Sequence, residues 1–265
     1  MGKLFLISAS FLLLTACSVK ENRADCPLII RFTERVNPYG CTADVNVSLR
    51  RDGEREGSDA TFTIREFTGS EFELLAGKGH TLVSVLSGYD ASVIEEGNLL
   101  RFKKGMPVPE MFALSDEFTS GTYDEEHVVM DSLCRQTAAV IMTIDNPEWD
   151  DRSYDMSVRS AWNGFDRITM AAISGEMVCN IASAESDSAY RFFVPRQGDN
   201  SLMLELKEED GRIWSYPIGK VIADSGYDWR ARHLSDISLT MDMSKTLVRI
   251  TVNEWKEEFV SEFTF

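Results

Sequence analysis

Residues 133–144 read Leu133-Cys134-Arg135-Gln136-Thr137-Ala138-Ala139-Val140-Ile141-Met142-Thr143-Ile144 and open a second run of strand-forming segments after a break near residues 128–132. Towards the C-terminus the pattern recurs in short pieces: Tyr154-Asp155-Met156-Ser157-Val158, Tyr190-Arg191-Phe192-Phe193-Val194 and Leu202-Met203-Leu204-Glu205-Leu206. An Asp210-Gly211 turn leads into Ile213-Trp214-Ser215-Tyr216, and Ile237-Ser238-Leu239-Thr240-Met241 precedes Thr246-Leu247-Val248-Arg249-Ile250-Thr251-Val252.

Towards the N-terminus the period is again two. Leu28-Ile29-Ile30-Arg31-Phe32 opens a first series, and Val45, Val47 and Leu49 alternate with Asp44, Asn46, Ser48 and Arg50 ahead of an Arg51-Asp52-Gly53 turn. Phe62, Ile64 and Phe67 continue the rhythm. Phe72-Glu73-Leu74-Leu75, a Gly77-Lys78-Gly79 turn and His80-Thr81-Leu82-Val83-Ser84-Val85-Leu86 read together as a hairpin. Residues 88–127, with Pro107, Pro109 and many acids, read as loops holding short strands, and no helical period of comparable strength occurs. Two series of short strands predict an all-β chain of two antiparallel β-sandwiches in tandem, residues 27–130 and 131–265. Val140, Ile144, Phe192, Leu204 and Ile250 are expected inside.

Lys3 precedes an apolar run from Leu4 to Leu14 that is broken only by Ser8 and Ser10. A bilayer span needs about 20 apolar residues, so this run fits the core of an export signal instead. It ends in Leu14-Thr15-Ala16-Cys17, which looks like a bacterial lipobox: residues 1–16 are expected to be a lipoprotein signal peptide, Cys17 the diacylated first residue, and residues 17–26 a polar tether. Two acyl chains, at about 0.8 kcal/mol per buried methylene, anchor durably where one is marginal. The plainer alternative is a secretory signal cut near Ala16. Ser18 is not the Asp that retains many lipoproteins at the inner membrane, which favours the outer one.

The chain carries 43 Asp and Glu against 27 Lys and Arg, a net charge of −16, and loss of residues 1–16 removes only the positive Lys3. That balance argues against nucleic acid and against electrostatic docking on anionic lipid. Beyond Cys17 there are Cys26, Cys41, Cys134 and Cys179, with no metal-clip spacing. Cys26 and Cys41 leave two readings open, a short-loop disulfide or free thiols, while Cys134 and Cys179 sit in apolar strands and read as core.

No catalytic constellation is present. His80, His127 and His233 are far apart and belong to no metal motif, and there is no Gly-x-Ser-x-Gly elbow, Walker loop or dinucleotide-binding glycine pattern. The acid-rich stretches at 52–59, 116–126 and 145–155 lack the Asp-x-Asp-x-Asp-Gly spacing of calcium loops and read as solvated. Trp214 and Trp255 read as sheet-packing residues. Trp149, Trp162 and Trp229 lie near turns, where an exposed aromatic platform would suit sugar rings, against the simpler reading of core packing.

Four local patterns carry a resemblance. They are Asn22-Arg23-Ala24-Asp25-Cys26-Pro27 before the first strand, Ala76-Gly77-Lys78-Gly79-His80-Thr81-Leu82-Val83-Ser84-Val85, Leu133-Cys134-Arg135-Gln136-Thr137-Ala138-Ala139-Val140, and the closing set. The last comprises Tyr227-Asp228-Trp229, Leu234-Ser235-Asp236-Ile237 and Ile250-Thr251-Val252-Asn253-Glu254-Trp255. Together they resemble the fimbrillin-associated anchor lipoproteins of Bacteroidota, base subunits of type V pili assembled by donor-strand exchange. Leu86 stands where a tryptophan often follows the hairpin strand, and Cys41 is extra. The resemblance implies two transthyretin-like β-sandwich domains, no enzyme activity and no cofactor. It also implies fimbrial shaft or accessory pilin subunits as partners, and a lipid-anchored place on the cell outer membrane, exposed at the surface.

In that setting Glu258-Phe259-Val260-Ser261-Glu262-Phe263-Thr264-Phe265 puts Phe259, Ser261, Phe263 and Phe265 on one face, as a partner strand or as the last strand of the second sandwich. The competing function is a surface glycan-binding lipoprotein of a nutrient-uptake system, favoured if Trp149, Trp162 and Trp229 line one platform.

Overall fold

The computed structural model describes residues 25–264 apart from 34, 52–53, 70, 78, 121–125, 131, 146–154, 183–188, 209, 243–246 and 255–256. The signal segment and Cys17 therefore lie outside the described residues. The first half forms β1 (Asp25–Phe32), β2 (Val45–Arg51), β3 (Glu54–Phe62), β4 (Glu71–Gly77) and β5 (Gly79–Ser87), then β6 (Val93–Glu96), β7 (Leu99–Phe102), β8 (Phe112–Ser120), β9 (Glu126–Met130) and β10 (Cys134–Arg135). The second forms β11 (Thr137–Asp145), β12 (Asp155–Asp166), β13 (Ala172–Ile181), β14 (Ala189–Pro195), β15 (Met203–Lys207), β16 (Ile213–Tyr216), β17 (Ile237–Asp242), β18 (Leu247–Glu254) and β19 (Glu257–Thr264). Two short helices, α1 (Ile64–Phe67) and α2 (Ile218–Asp224), interrupt them, and no helix among the described residues is long and apolar enough to cross a membrane.

The chain is all-β, built as two β-sandwiches in tandem. In the first, sheets β4-β1-β9 and β10-β8-β5-β2-β3 close over Phe32, Val45, Phe67, Val85, Phe112 and Met130. In the second, β14-β11-β17-β18-β19 faces β16-β15-β12-β7-β6, with β13 on the other flank of β12, over a larger core that includes Val140, Val158, Phe165, Phe192, Leu204 and Leu239. Pairing is antiparallel throughout except between β1 and β9 and between β11 and β17.

The same wiring occurs twice. β1 lies between antiparallel β4 and parallel β9, as β11 lies between antiparallel β14 and parallel β17. β2 pairs with β3 and β5, and β5 with β8; correspondingly β12 pairs with β13 and β15, and β15 with β16. The hairpin β6–β7 stands apart: it follows β5 in the chain but joins β12, with Leu100 opposite Phe165. It lies N-terminal to residue 130, yet its Val93, Leu100 and Phe102 are buried in the second core. Gly164 makes the junction sterically feasible, because a Cβ there would sit 1.9 Å from the Leu100 carbonyl oxygen.

Three sequence expectations need correction or completion. The Gly77-Lys78-Gly79 segment joins no hairpin: β4 pairs with β1 while β5 pairs with β2 and β8, so the two strands lie in opposite sheets. A glycine turn signals a change of direction, but burial of each strand's apolar face selects the sheet it enters. Ile64 to Phe67 forms a helical turn, not a strand, because Thr63 and Glu66 make a capping box: the Thr63 hydroxyl accepts from Glu66 N at 3.3 Å and the Glu66 carboxylate from Thr63 N at 3.0 Å. Of the expected core residues, Val140, Phe192 and Leu204 are buried. Ile144 is only partly so, and the side chain of Ile250 is outside the described residues.

Candidate partner-strand edge and the joint between sandwiches

In β17, Ile237, Leu239 and Met241 are buried and alternate with half-buried Ser238, Thr240 and Asp242. The register places Leu239 opposite Val252 and Met241 opposite Ile250, and then Val252 opposite Phe259, Ile250 opposite Ser261 and Val248 opposite Phe263. Residues directly opposed in an antiparallel ladder share a face of the sheet. The Phe259, Ser261, Phe263 positions thus fall in phase with the apolar rows of β17 and β18, while Phe265 lies outside the described residues. β19 ends its sheet: β18 occupies one flank, and among the described residues no strand occupies the other. Helix α2, with buried Ile218, Val221 and Ile222, lies against β18 and β19. An edge of this kind presents a row of backbone donors and acceptors to whatever can pair with it.

Trp162 and Trp229 do not make an open platform. Trp229 is buried, edge-on to Tyr227 at 4.7 Å between centroids, and half-buried Trp162 packs over Gly198, where a Cβ would come within 2.2 Å of the indole. Trp149 is outside the described residues. Cys134 and Cys179 are buried thiols as expected, and burial pushes the Cys179 thiol up. Cys41 is also a free buried thiol, its Sγ 3.0 Å from Ser87 Oγ, with its pKa raised by burial; the side chain of Cys26 is outside the described residues.

Sequence reasoning missed the polar joint where the two sandwiches meet. Arg135, at the end of β10, is buried and paired with Glu110 at 3.3 Å and with Asp236, while its Nε donates to Leu234 O at 2.9 Å. The Arg135 backbone N–H donates to His233 Nδ1 at 3.0 Å, and the His233 ring stacks on Tyr39 of the first sandwich at 3.5 Å. Burial, with the Arg135 charge beside it, lowers the His233 pKa from 6.5 to about 4, so the ring is a neutral acceptor at neutral pH. A second joint links β2 to the inserted hairpin: Glu95 pairs with Arg50 and, at 2.9 Å, with buried Arg167. The available signal was an arginine embedded in strand sequence, as in Cys134-Arg135-Gln136; a charge in such a place is buried only with partners.

No family model matches the chain, and no curated protein matches it in sequence. Its fold is nevertheless shared along nearly the whole length with solved structures from Bacteroidota. The fimbrial anchor protein Mfa2 of Porphyromonas gingivalis superposes with a TM-score of 0.64 at 14% identity, covering 89% of this chain and 99% of that one. A Bacteroides thetaiotaomicron protein proposed to bind polysaccharide gives 0.65 at 13% identity over 90% of this chain and 98% of its own. A Bacteroides ovatus protein whose proposed role is adhesion gives 0.63 at 12% identity over 91% and 97%. These likenesses establish the two-sandwich fold.

Proposed function

We propose that this chain is an anchor or accessory subunit of a donor-strand-assembled fimbrium, tethered to the outer membrane through a diacylated Cys17 and exposed at the cell surface. Its work is mechanical and interfacial: it holds or terminates a fibre by pairing a sheet edge with a strand of a shaft or accessory pilin. The observation that carries the reading is a coincidence of two features. A lipobox-like Leu14-Thr15-Ala16-Cys17 precedes a fold shared over 89% of the chain with a fimbrial anchor protein. The segment proposed for strand pairing is Phe259, Ser261 and Phe263, on a strand with one flank unoccupied among the described residues, together with Phe265 beyond its end. Main-chain bonds along such an edge give affinity, and alternate side chains give specificity. The glycan-binding alternative loses support from the burial of Trp229.

The test is isolation of the native protein from its membrane. An acylated Cys17 as first residue, with a fimbrial subunit co-purifying, is the expected result, and Cys17→Ser should release the protein. An unmodified N-terminus beginning elsewhere removes the anchor, and retention of a glycan but no pilin moves the function to the alternative.

A further inference from the structure

β8 of the first sandwich, the 168–170 turn of the second and the 230–232 loop enclose a cleft of 320 Å³. Its polar lining is Ser115, Gln136, Thr169, Arg196, Arg230 and Arg232; among the described residues no acid and no aromatic ring contributes. In a chain of net charge −16, a cleft whose lining includes three arginines and, among the described residues, no carboxylate is a local inversion of the charge balance.

Arg196 is 2% exposed. Its Nε donates to Gln136 Oε1 at 2.7 Å, Nη1 to the carbonyls of Trp229 at 3.0 Å and Ala231 at 2.6 Å, and Nη2 to the carbonyl of Arg232 at 2.7 Å. All four acceptors are neutral. The guanidinium thereby shapes the 229–232 loop, but its charge stays unneutralised by direct contact. Buried charges are ordinarily paired, and carbonyl dipoles only partly replace a counter-ion. Arg230 and Arg232 are exposed and make no ion pair among the described residues. The nearest acid on that loop, Asp228, accepts from the backbone N–H of Arg230 at 2.8 Å.

We propose that this cleft captures a carboxylate of an acidic peptide segment on a protein partner, gripped by Arg230 and Arg232 above Arg196. A guanidinium matches a carboxylate with two parallel hydrogen bonds, and two such forks at a half-enclosed site outweigh the same pair in open water. The cleft is near the lower end of ligand-pocket sizes, room for an acidic side chain and its neighbours. A sugar acid would present the same carboxylate, but the walls offer no aromatic face for its ring. The inference does not require the partner to be a fimbrial subunit.

Calorimetric titration of the intact chain at low salt with acetylated, amidated tetraglutamate tests it, with tetraglutamine, glucuronate and sulfate as comparison probes. Saturable one-to-one binding of tetraglutamate is expected, with none for tetraglutamine. Affinity should fall at least tenfold in the Arg230→Gln/Arg232→Gln double variant, whose exposed substitutions should leave the melting temperature unchanged. Arg232→Lys, which keeps the charge and loses the fork, should fall between. No saturable binding by the unaltered chain, or undiminished binding by the double variant, overturns the proposal. Glucuronate or sulfate binding as tightly as tetraglutamate overturns the peptide assignment.

Discussion

Among the described residues β9 ends its sheet in the first sandwich; in the second, β17 holds the same place beside β11 but is followed by β18 and β19 and lies two strands in from the edge. The first sandwich closes its core with the seven shared strands and the two-residue β10, so the β18–β19 hairpin is an addition to a unit whose wiring is complete without it. The second difference is the β6–β7 hairpin, which departs from the first half of the chain and fills out a sheet of the second. One addition welds the sandwiches together, and the other leaves a new sheet edge. An added strand placed at an edge is where a strand-pairing partner can be met at least cost to the core.

The weld is the most breakable element. Gly164→Val would drive side-chain carbon into the Leu100 carbonyl and its attached carbon, at 1.9 and 2.9 Å already for a Cβ, and should cost about 4 kcal/mol through loss of β7 pairing and of the apolar groups β7 buries. Chemical denaturation should register it as a large fall in midpoint; a midpoint within error of the parent would mean the hairpin is dispensable. Arg135→Met removes a cation from between Glu110 and Asp236, both partly exposed, and should cost about 2 kcal/mol. Limited proteolysis between the halves, faster in this variant, would locate the damage at the joint.

Acid should loosen the same joint. In the unfolded chain a histidine titrates near 6.5, whereas folded His233 resists protonation to about 4. Between those values the unfolded state binds a proton that the folded state does not, so stability is full above 6.5 and falls as pH drops through the window. His233→Gln should flatten the slope of melting temperature against pH between 6.5 and 4; an unchanged slope would remove this group from the account. The smallest effect is expected at α1, confined to the first sandwich: Thr63→Ala breaks the capping box at about 1 kcal/mol.

Much of this was legible in the sequence, and most of the exceptions share a cause. Alternation in Val45 to Leu49 and in Ile237 to Met241 foretold strands, since a two-residue period is a local property; the buried row of the second is as read, whereas in the first Ser48 and Arg50 are buried along with Val45 and Val47. Pairing is not local. Phe72 to Leu86 looked like a hairpin because it carries two apolar runs and a Gly-x-Gly turn, but the partners of both runs lie far away in the chain. The parallel strands β9 and β17, and the transfer of Leu99–Phe102 to β12, are likewise settled by long-range burial. The capping box at Thr63 and Glu66 is local and present in the letters, but Phe62, Ile64 and Phe67 equally suggest continuation of a strand. The edge segment was legible as an alternating strand. The joint around Arg135 and His233 was not, because its members come from distant parts of the chain, Arg135 and His233 alone being 98 residues apart.

The central proposal is that β19 offers its outer edge to a partner strand, and deletion of residues 258–265 tests it directly. With capture of a co-expressed pilin and thermal melting measured on the same preparation, capture should be lost while the melting temperature falls by no more than about 5 °C, the shift that one to two kcal/mol gives a domain of this size. Retained capture, or a collapse of melting far beyond that shift, would contradict it.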